Sequence, residues 1–127
     1  MTTFLPSQAI ATEHTTAAEA SHVLWHFDQR AGAMEPGSFT RSLLETIGRA
    51  DPINRARLAA GFPGYVAAYL LGELGGFDTL REIAGIELCE TCVGTGMRRA
   101  DPPVIEHGAV RHLIVCPECR GAGGVSL

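Results

Sequence analysis

Four cysteines carry the clearest chemistry in this sequence of 127 residues, and they fall into two copies of one motif. The copies read CETCVGTG at residues 89–96 and CPECRGAG at residues 116–123, and both follow the pattern Cys-x-x-Cys-x-Gly-x-Gly. Two residues between cysteines allow a tight turn to aim both sulfurs at one point. Two such turns complete the tetrahedral sulfur site that zinc prefers. The sequence therefore predicts one structural zinc ion per chain, held by Cys89, Cys92, Cys116 and Cys119.

The glycines and the cellular setting both bear on this prediction. Glycines at matched offsets permit positive φ angles, so that backbone N–H groups can point at the sulfurs and offset their charge. The alternatives are two disulfides, unliganded thiols or a reactive thiolate, since the same spacing occurs in redox motifs. We expect a cytoplasmic protein, and a reducing cytosol favours metal ligands over disulfides. His107 and His112 lie between the motifs, but four cysteines already fill a tetrahedral site.

Residues 89–123 resemble the central cysteine-rich domain of DnaJ-type chaperones. That domain repeats the same motif four times and binds two zinc ions, each through a pair of repeats, so the resemblance implies one zinc here. It covers under a third of the chain. DnaJ proteins stimulate their chaperone partner through a His-Pro-Asp loop, and this sequence contains none. The resemblance therefore implies a zinc module and not co-chaperone activity.

The elements around the motif predict a mainly α fold, in which a small N-terminal helical bundle precedes a zinc-stapled β-hairpin module. We divide the chain into a flexible arm (1–15), a helical domain (16–86) and a DnaJ-like zinc-binding module (87–127). Residues 104–106 and 109–115 predict two strands around a turn at His107 and Gly108. This hairpin would bring the two cysteine motifs together.

Cap residues and apolar spacing place the helices. Thr16 and Glu19 form a capping-box pattern, and Asp51 followed by Pro52 is typical of a helix start. Ser38 and Asp78 are further predicted caps, and Pro63 begins another helix. Apolar residues at helical spacing predict the buried faces; they are Ala20, Val23, Leu24 and Phe27 in the first helix and Phe39, Leu43, Ile47 and Ala50 in the second.

Charge and hydropathy exclude several classes of function. Residues 1–88 carry six arginines against ten acidic residues, whereas residues 89–127 carry four of each. Nucleic-acid binding normally leaves a basic footprint, so it is disfavoured. The N-terminus lacks the pattern of a secretory signal, and no uncharged stretch, the one that contains residues 59–72 included, is long enough to span a bilayer.

The remaining candidate residues favour structural roles over sites. His22 and His26 stand four apart on a helix, but no third metal ligand accompanies them. Arg49, Arg55 and Arg57 are more typical of a solvated helix than of a phosphate site. Trp25 is an expected core residue, although a tryptophan can also anchor a partner.

We therefore expect a non-enzymatic zinc-binding adaptor that acts on a protein partner, with homo-oligomers left open. The segments 24–27, 36–40 and 54–63 resemble small uncharacterised proteins of actinobacterial phages, which implies a phage-encoded protein and no particular activity. One alternative is thiol–disulfide or holdase-type chaperone activity through the cysteine turns. Another is nucleic-acid binding through Arg98, Arg99, Arg111 and Arg120.

Overall fold

The computed structural model describes residues 13–90, 92, 94–117, 119 and 122–126. Within these residues five helices come first: α1 (Ala17–His26), α2 (Ser38–Arg49), α3 (Pro52–Gly61), α4 (Pro63–Glu73) and α5 (Phe77–Ala84). Four strands follow: β1 (Ile86–Leu88), β2 (Met97–Glu106), β3 (Ala109–Val115) and β4 (Gly124–Ser126). Helices form the larger part of the described chain, in agreement with the predicted mainly α class. The predicted arm is described only from Glu13 onward.

Two helix starts follow the predicted capping chemistry. The backbone N–H of Glu19 donates to Thr16 Oγ1 at 3.2 Å, and the N–H of Thr16 donates to a Glu19 carboxylate oxygen at 2.9 Å, which completes the capping box. At α3, Asp51 accepts a hydrogen bond of 2.7 Å from the N–H of Asn54, and Pro52 is the first helical residue. Each cap satisfies a backbone donor that the helix itself leaves unpaired.

At two other helix starts, the predicted cap residue lies inside the helix and does not cap it. Gly37 is the N-cap of α2 and Ser38 is its first residue, because Gly37 already has the extended backbone of a cap. Helix α5 begins at Phe77, which places Asp78 inside the first turn, where it lies 3.0 Å from Arg81. An acidic residue in the first turn is stabilising next to the positive end of the helix dipole.

The core lies among α1, α2, α4 and α5. Trp25 is only half-buried, and the Arg30 guanidinium lies over its ring at 4.8 Å, so the prediction of a core tryptophan was wrong. Helix α3 contributes no fully buried residue and packs by Leu58 and Ala59. The buried hydrophobic cluster comprises Ala20, Val23, Leu24, Leu43, Leu44, Ile47, Val66, Ala67, Ala68, Tyr69, Leu71, Leu80, Ala84 and Ile86.

The strands form two antiparallel pairs, β1 with β4 and β2 with β3. The β2–β3 hairpin has the predicted turn, in which His107 (φ 47°) and Gly108 (φ 78°) both adopt the left-handed conformation that suits a two-residue hairpin loop. The register shifts between Arg99 and Val104, where Pro102 and Pro103 cannot donate ladder hydrogen bonds. No helix in the described part of the chain is long and apolar enough to cross a membrane.

Candidate metal centre

The paired strands bring the two cysteine motifs together. Cys89 directly follows β1, Cys116 directly follows β3, and each is the first cysteine of its motif. The N–H of Cys89 donates to the Gly123 carbonyl at 2.8 Å, and the N–H of Cys116 donates to the Gly96 carbonyl at 2.9 Å. The first cysteine of each motif is thus bonded to the last glycine of the other. This reciprocal arrangement is the structural counterpart of the duplicated sequence.

The four sulfur atoms lie within 4.8 Å of one another. Cys89 Sγ and Cys116 Sγ are 3.7 Å apart, and Cys92 Sγ and Cys119 Sγ are 3.6 Å apart. A disulfide requires about 2.05 Å between sulfurs, so the four cysteines are not joined by disulfides. In a tetrahedral site with Zn–S bonds of about 2.3 Å, the sulfurs are about 3.8 Å apart. The four cysteines could therefore hold one metal ion, and the two measured distances are consistent with zinc.

Backbone donors are aimed at the second cysteine of each motif. The N–H of Gly96 donates to Cys92 Sγ at 3.3 Å, and the N–H of Gly123 donates to Cys119 Sγ at 3.2 Å. Both glycines have positive φ angles, 74° and 75°, which the glycine offsets predicted. Such donors stabilise the thiolate form that a metal ion requires and fix the direction of the sulfur lone pairs.

The environment of Cys92 favours the thiolate. Burial acts to raise the pKa of Cys92, but hydrogen bonds from the Gly96 N–H and from the Cys119 and Cys89 thiols outweigh it and lower the pKa to about 6. Cys92 and Cys116 are buried, whereas Cys89 and Cys119 are half-buried. A buried thiolate with backbone donors is an appropriate metal ligand.

The metal centre lies against the loop that follows α1. A Cβ atom added at Gly123 would lie 3.0 Å from Ala31 Cβ, so the second cysteine turn and this loop are in close contact. A cavity of about 210 Å³ lies beside the contact, lined in part by Gln29, Leu88 and Gly94. Arg81 donates to the Gln29 side chain at 2.7 Å and so connects α5 to the same loop. The helical bundle thus supports one side of the metal centre.

The histidines lie outside this centre. His22 Nδ1 is 2.9 Å from Tyr65 Oη, and the two rings are stacked. His26 packs edge-on against Phe27 and close to Tyr69. His107 is in the hairpin turn and His112 is on β3, both exposed. Within the described residues, the four cysteines are the cluster that could hold a metal ion.

Arg55 makes several contacts within the helical domain, whereas the other arginines predicted as candidates are more open to solvent or lie outside the described residues. Arg55 is 2.7 Å from Glu73, donates to the Ile47 carbonyl and lies over the Tyr69 ring. Arg49 and Arg57 line an open depression of about 400 Å³ between α2 and α3. On the hairpin, Arg99 and Arg111 are exposed. The side chain of Arg98 and the whole of Arg120 lie outside the described residues.

The sequence did not reveal two parts of this site. Thr95 stabilises the first cysteine turn, with its N–H donating to the Cys92 carbonyl at 3.2 Å and its hydroxyl lying 2.8 Å from the same oxygen. Ala31 contacts the second cysteine turn, although it lies far from that turn in the chain. The Thr95 contact is a short-range turn that its hydroxyl could have suggested. Nothing in the sequence around Ala31 indicates that it contacts this turn.

Comparison with protein-family models, with curated proteins and with solved structures gives no match to this chain. Its function must therefore be inferred from the site and from the surfaces around it.

Proposed function

We propose that this chain is a non-enzymatic zinc-binding adaptor, in which one zinc ion bound by the four cysteines fixes a β-hairpin module beside a helical domain. The observation that carries the proposal is the set of four sulfurs within 4.8 Å of one another, in two motifs joined by reciprocal backbone hydrogen bonds. Four protein ligands saturate a tetrahedral zinc ion and leave no position for water or substrate, which is the arrangement of structural sites.

The hairpin module needs such an ion because it has little apolar core. Between residues 89 and 126, the buried hydrophobic residues that the structure describes are Cys92, Ala100 and Cys116. A segment this small is not stabilised by burial alone, and a metal ion can supply the missing free energy on folding. The two Cys-x-x-Cys-x-Gly-x-Gly turns support the resemblance to the DnaJ-type zinc module, and we propose that the shared feature is this metal-dependent scaffold.

The adaptor role follows from what surrounds the ion. The metal centre stabilises a hairpin whose surface is apolar and exposed, which suits binding better than catalysis. A partner protein is the proposed target, and the weak likeness of the N-terminal segments to phage proteins favours a phage-encoded adaptor.

Native mass spectrometry with thiol counting tests the metal site. We expect one zinc ion per chain and four reduced cysteines in freshly purified protein, and loss of hairpin structure when a chelator removes the ion. Metal-free protein with oxidised cysteine pairs would contradict the proposal.

The second candidate function is thiol–disulfide exchange, which the lowered pKa of Cys92 favours. Reduction of insulin by the chain with dithiothreitol present distinguishes it from the adaptor. Turnover that Cys92→Ser abolishes would establish the redox function, and its absence in zinc-loaded protein supports the adaptor.

A further inference from the structure

An open depression lies at the corner between helices α2 and α3. Helix α2 ends at Arg49 and α3 begins at Pro52, so only two residues join them, and both helices contribute to the walls of the cavity. Its volume of about 400 Å³ lies within the range of small-molecule sites. We call this cavity the α2–α3 depression; its lining residues are Thr46, Arg49, Ala50, Asn54, Arg57 and Leu58.

The α2–α3 depression contains two guanidinium groups without a protein partner. Within the described residues, neither Arg49 nor Arg57 forms a hydrogen bond or an ion pair. The sequence grouped Arg55 with these two residues, but Arg55 is bonded elsewhere. The other four arginines of the helical domain each form an ion pair; the pairs are Arg30 with Asp28, Arg41 with Glu35, Arg55 with Glu73 and Arg81 with Asp78.

A shortage of acidic residues does not explain the unpaired arginines. Residues 1–88 carry ten acidic residues against six arginines, yet no acidic side chain lines the α2–α3 depression. The cavity beside Trp25 differs, because Glu35 and Glu45 line it together with two arginines. Two positive charges in one cavity repel each other unless an anion lies between them. The α2–α3 depression is therefore suited to an anion.

The hydrogen-bond donors that are still available indicate the kind of anion. The Thr46 hydroxyl donates to the Ser42 carbonyl at 2.8 Å, and the Asn54 amide donates to the carboxylate of Asp51, which caps α3, at 3.3 Å. The guanidinium groups of Arg49 and Arg57 are the main donors that remain. A phosphate monoester carries nearly two negative charges at neutral pH and can accept from both groups, whereas a carboxylate carries one charge.

The apolar part of the cavity indicates that the anion has a body. Ala50 and Leu58 are both half-buried, and an inorganic phosphate ion would leave their side of the cavity empty. We infer that the α2–α3 depression binds a small phosphate monoester, with the phosphate between Arg49 and Arg57 and an apolar or aromatic group against Ala50 and Leu58. This site is separate from the cysteine cluster and goes beyond the proposed adaptor function.

The experiment titrates the zinc-loaded full chain with phenyl phosphate and follows the backbone amide resonances by NMR spectroscopy. We expect the largest shifts within residues 46–58. Three related compounds test the parts of the ligand: inorganic phosphate lacks the ring, benzoate carries a single charge and phenol carries none. Phenyl phosphate should bind about fivefold more tightly than each of them, because only it has both the doubly charged group and the ring.

Two substitutions on α2 test the position of the site. Thr46→Glu places a carboxylate in the depression, close to Arg49 on the helix surface, and should weaken binding of phenyl phosphate about tenfold or more. Ser42→Glu is the matched control, because it makes the same change in charge one turn earlier, at an exposed residue that does not line the depression. It should leave the affinity within about twofold.

A second pair of variants tests the arginines directly. Arg57→Gln should weaken binding about tenfold or more, because it removes one of the two charged donors. Arg41→Gln removes an arginine that is already paired with Glu35 and should leave the affinity within about twofold. Helicity by circular dichroism and zinc content by native mass spectrometry show that each variant is folded.

Several results would overturn the inference. They are the absence of binding at about 10 mM phenyl phosphate, equal affinities for benzoate and phenyl phosphate, and binding that Thr46→Glu and Arg57→Gln both leave unchanged. A single-stranded oligonucleotide that binds more tightly than phenyl phosphate, in a salt-dependent manner, would make nucleic acid the occupant. None of these outcomes changes the zinc content, so they leave the adaptor function standing. Metal-free protein with oxidised cysteines would overturn that function and leave this site unaffected.

Discussion

Replacement of Gly123 by alanine tests whether the metal centre and the helical bundle are in contact. A Cβ atom at this position would lie 2.6 Å from the Gly94 carbonyl oxygen and 3.0 Å from Ala31 Cβ. The first neighbour is backbone of the other cysteine turn, and the second belongs to the loop after α1. The substitution must therefore push the two cysteine turns apart or move the second turn away from the bundle.

The hairpin turn provides a control with the same backbone strain and no steric clash. Gly108 has a φ angle of 78°, close to the 75° of Gly123, but nothing lies within 4 Å of a Cβ atom placed there. The left-handed conformation makes alanine unfavourable by about 1–2 kcal/mol at either position. Overpacking adds about 1–3 kcal/mol at Gly123 alone. The difference between the two variants corresponds to about 5- to 150-fold in zinc affinity.

Competition with a chromogenic chelator measures the zinc affinity of the two variants and of the original chain. We expect Gly123→Ala to bind zinc more weakly than Gly108→Ala by that factor. Ala31→Gly should partly restore zinc binding in Gly123→Ala, because it removes one of the two clashing atoms. Equal affinities for the two glycine variants would show that the turns do not approach each other as described, and the reasoning would be refuted.

Three further predictions concern pH, the core and a helix cap. Because the pKa of Cys92 in the folded chain is about 6, below its ordinary value of 9.0, the unfolded state binds more protons between these pH values. The zinc-loaded chain, in which the hairpin is folded, should therefore gain stability towards urea as pH rises from about 6 to about 9, and Cys92→Ser should flatten this trend. Leu44→Ala removes a fully buried side chain and should lower the free energy of unfolding by about 2–5 kcal/mol, whereas the exposed Leu74→Ala should change it by less than about 0.5 kcal/mol in the same urea titration. Thr16→Ala breaks the capping box with Glu19 and should lower the free energy of unfolding by about 1 kcal/mol, measured by circular dichroism.

The features that the sequence predicted well depend on residues close together in the chain. The capping box at Thr16, the start of α3 at Asp51 and the hairpin turn at His107 and Gly108 are each determined within four residues. The cysteine motifs belong to the same class, because each turn is built from its own spacing. Only the approach of the two motifs to each other involves residues far apart in the chain, and the duplicated motif already predicted it.

The buried face of α2 differs from the face that the spacing of apolar residues predicted. The predicted stripe began at Phe39, which is 67% exposed, whereas Leu43, Leu44 and Ile47 are buried. A helix turns about 100° per residue, so a repeat of four residues drifts by about 40° at each step. Phe39 therefore lies about 90° from the centre of the buried face, and it packs on Phe62 with the ring centroids 6.2 Å apart.

Strands β1 and β4 could not be predicted because neither is long enough to show a pattern. Each has three residues, and their pairing joins positions nearly forty residues apart. The predicted domain boundary between residues 86 and 87 falls inside β1, and Ile86 belongs to the helical core. The two parts of the chain thus share a strand, which sequence composition could not indicate.

The shared strand and the cysteine cluster together connect the hairpin to the helical bundle. On one side, β1 continues from α5 and pairs with β4, and Ala31 contacts the second cysteine turn. On the other side, the bond between Cys116 and Gly96 closes the base of the hairpin. A single ion at this junction would restrain both connections, because all four of its ligands lie in the two turns. Removal of the ion should therefore release the hairpin from the bundle and leave the helical core, with its own buried cluster, intact.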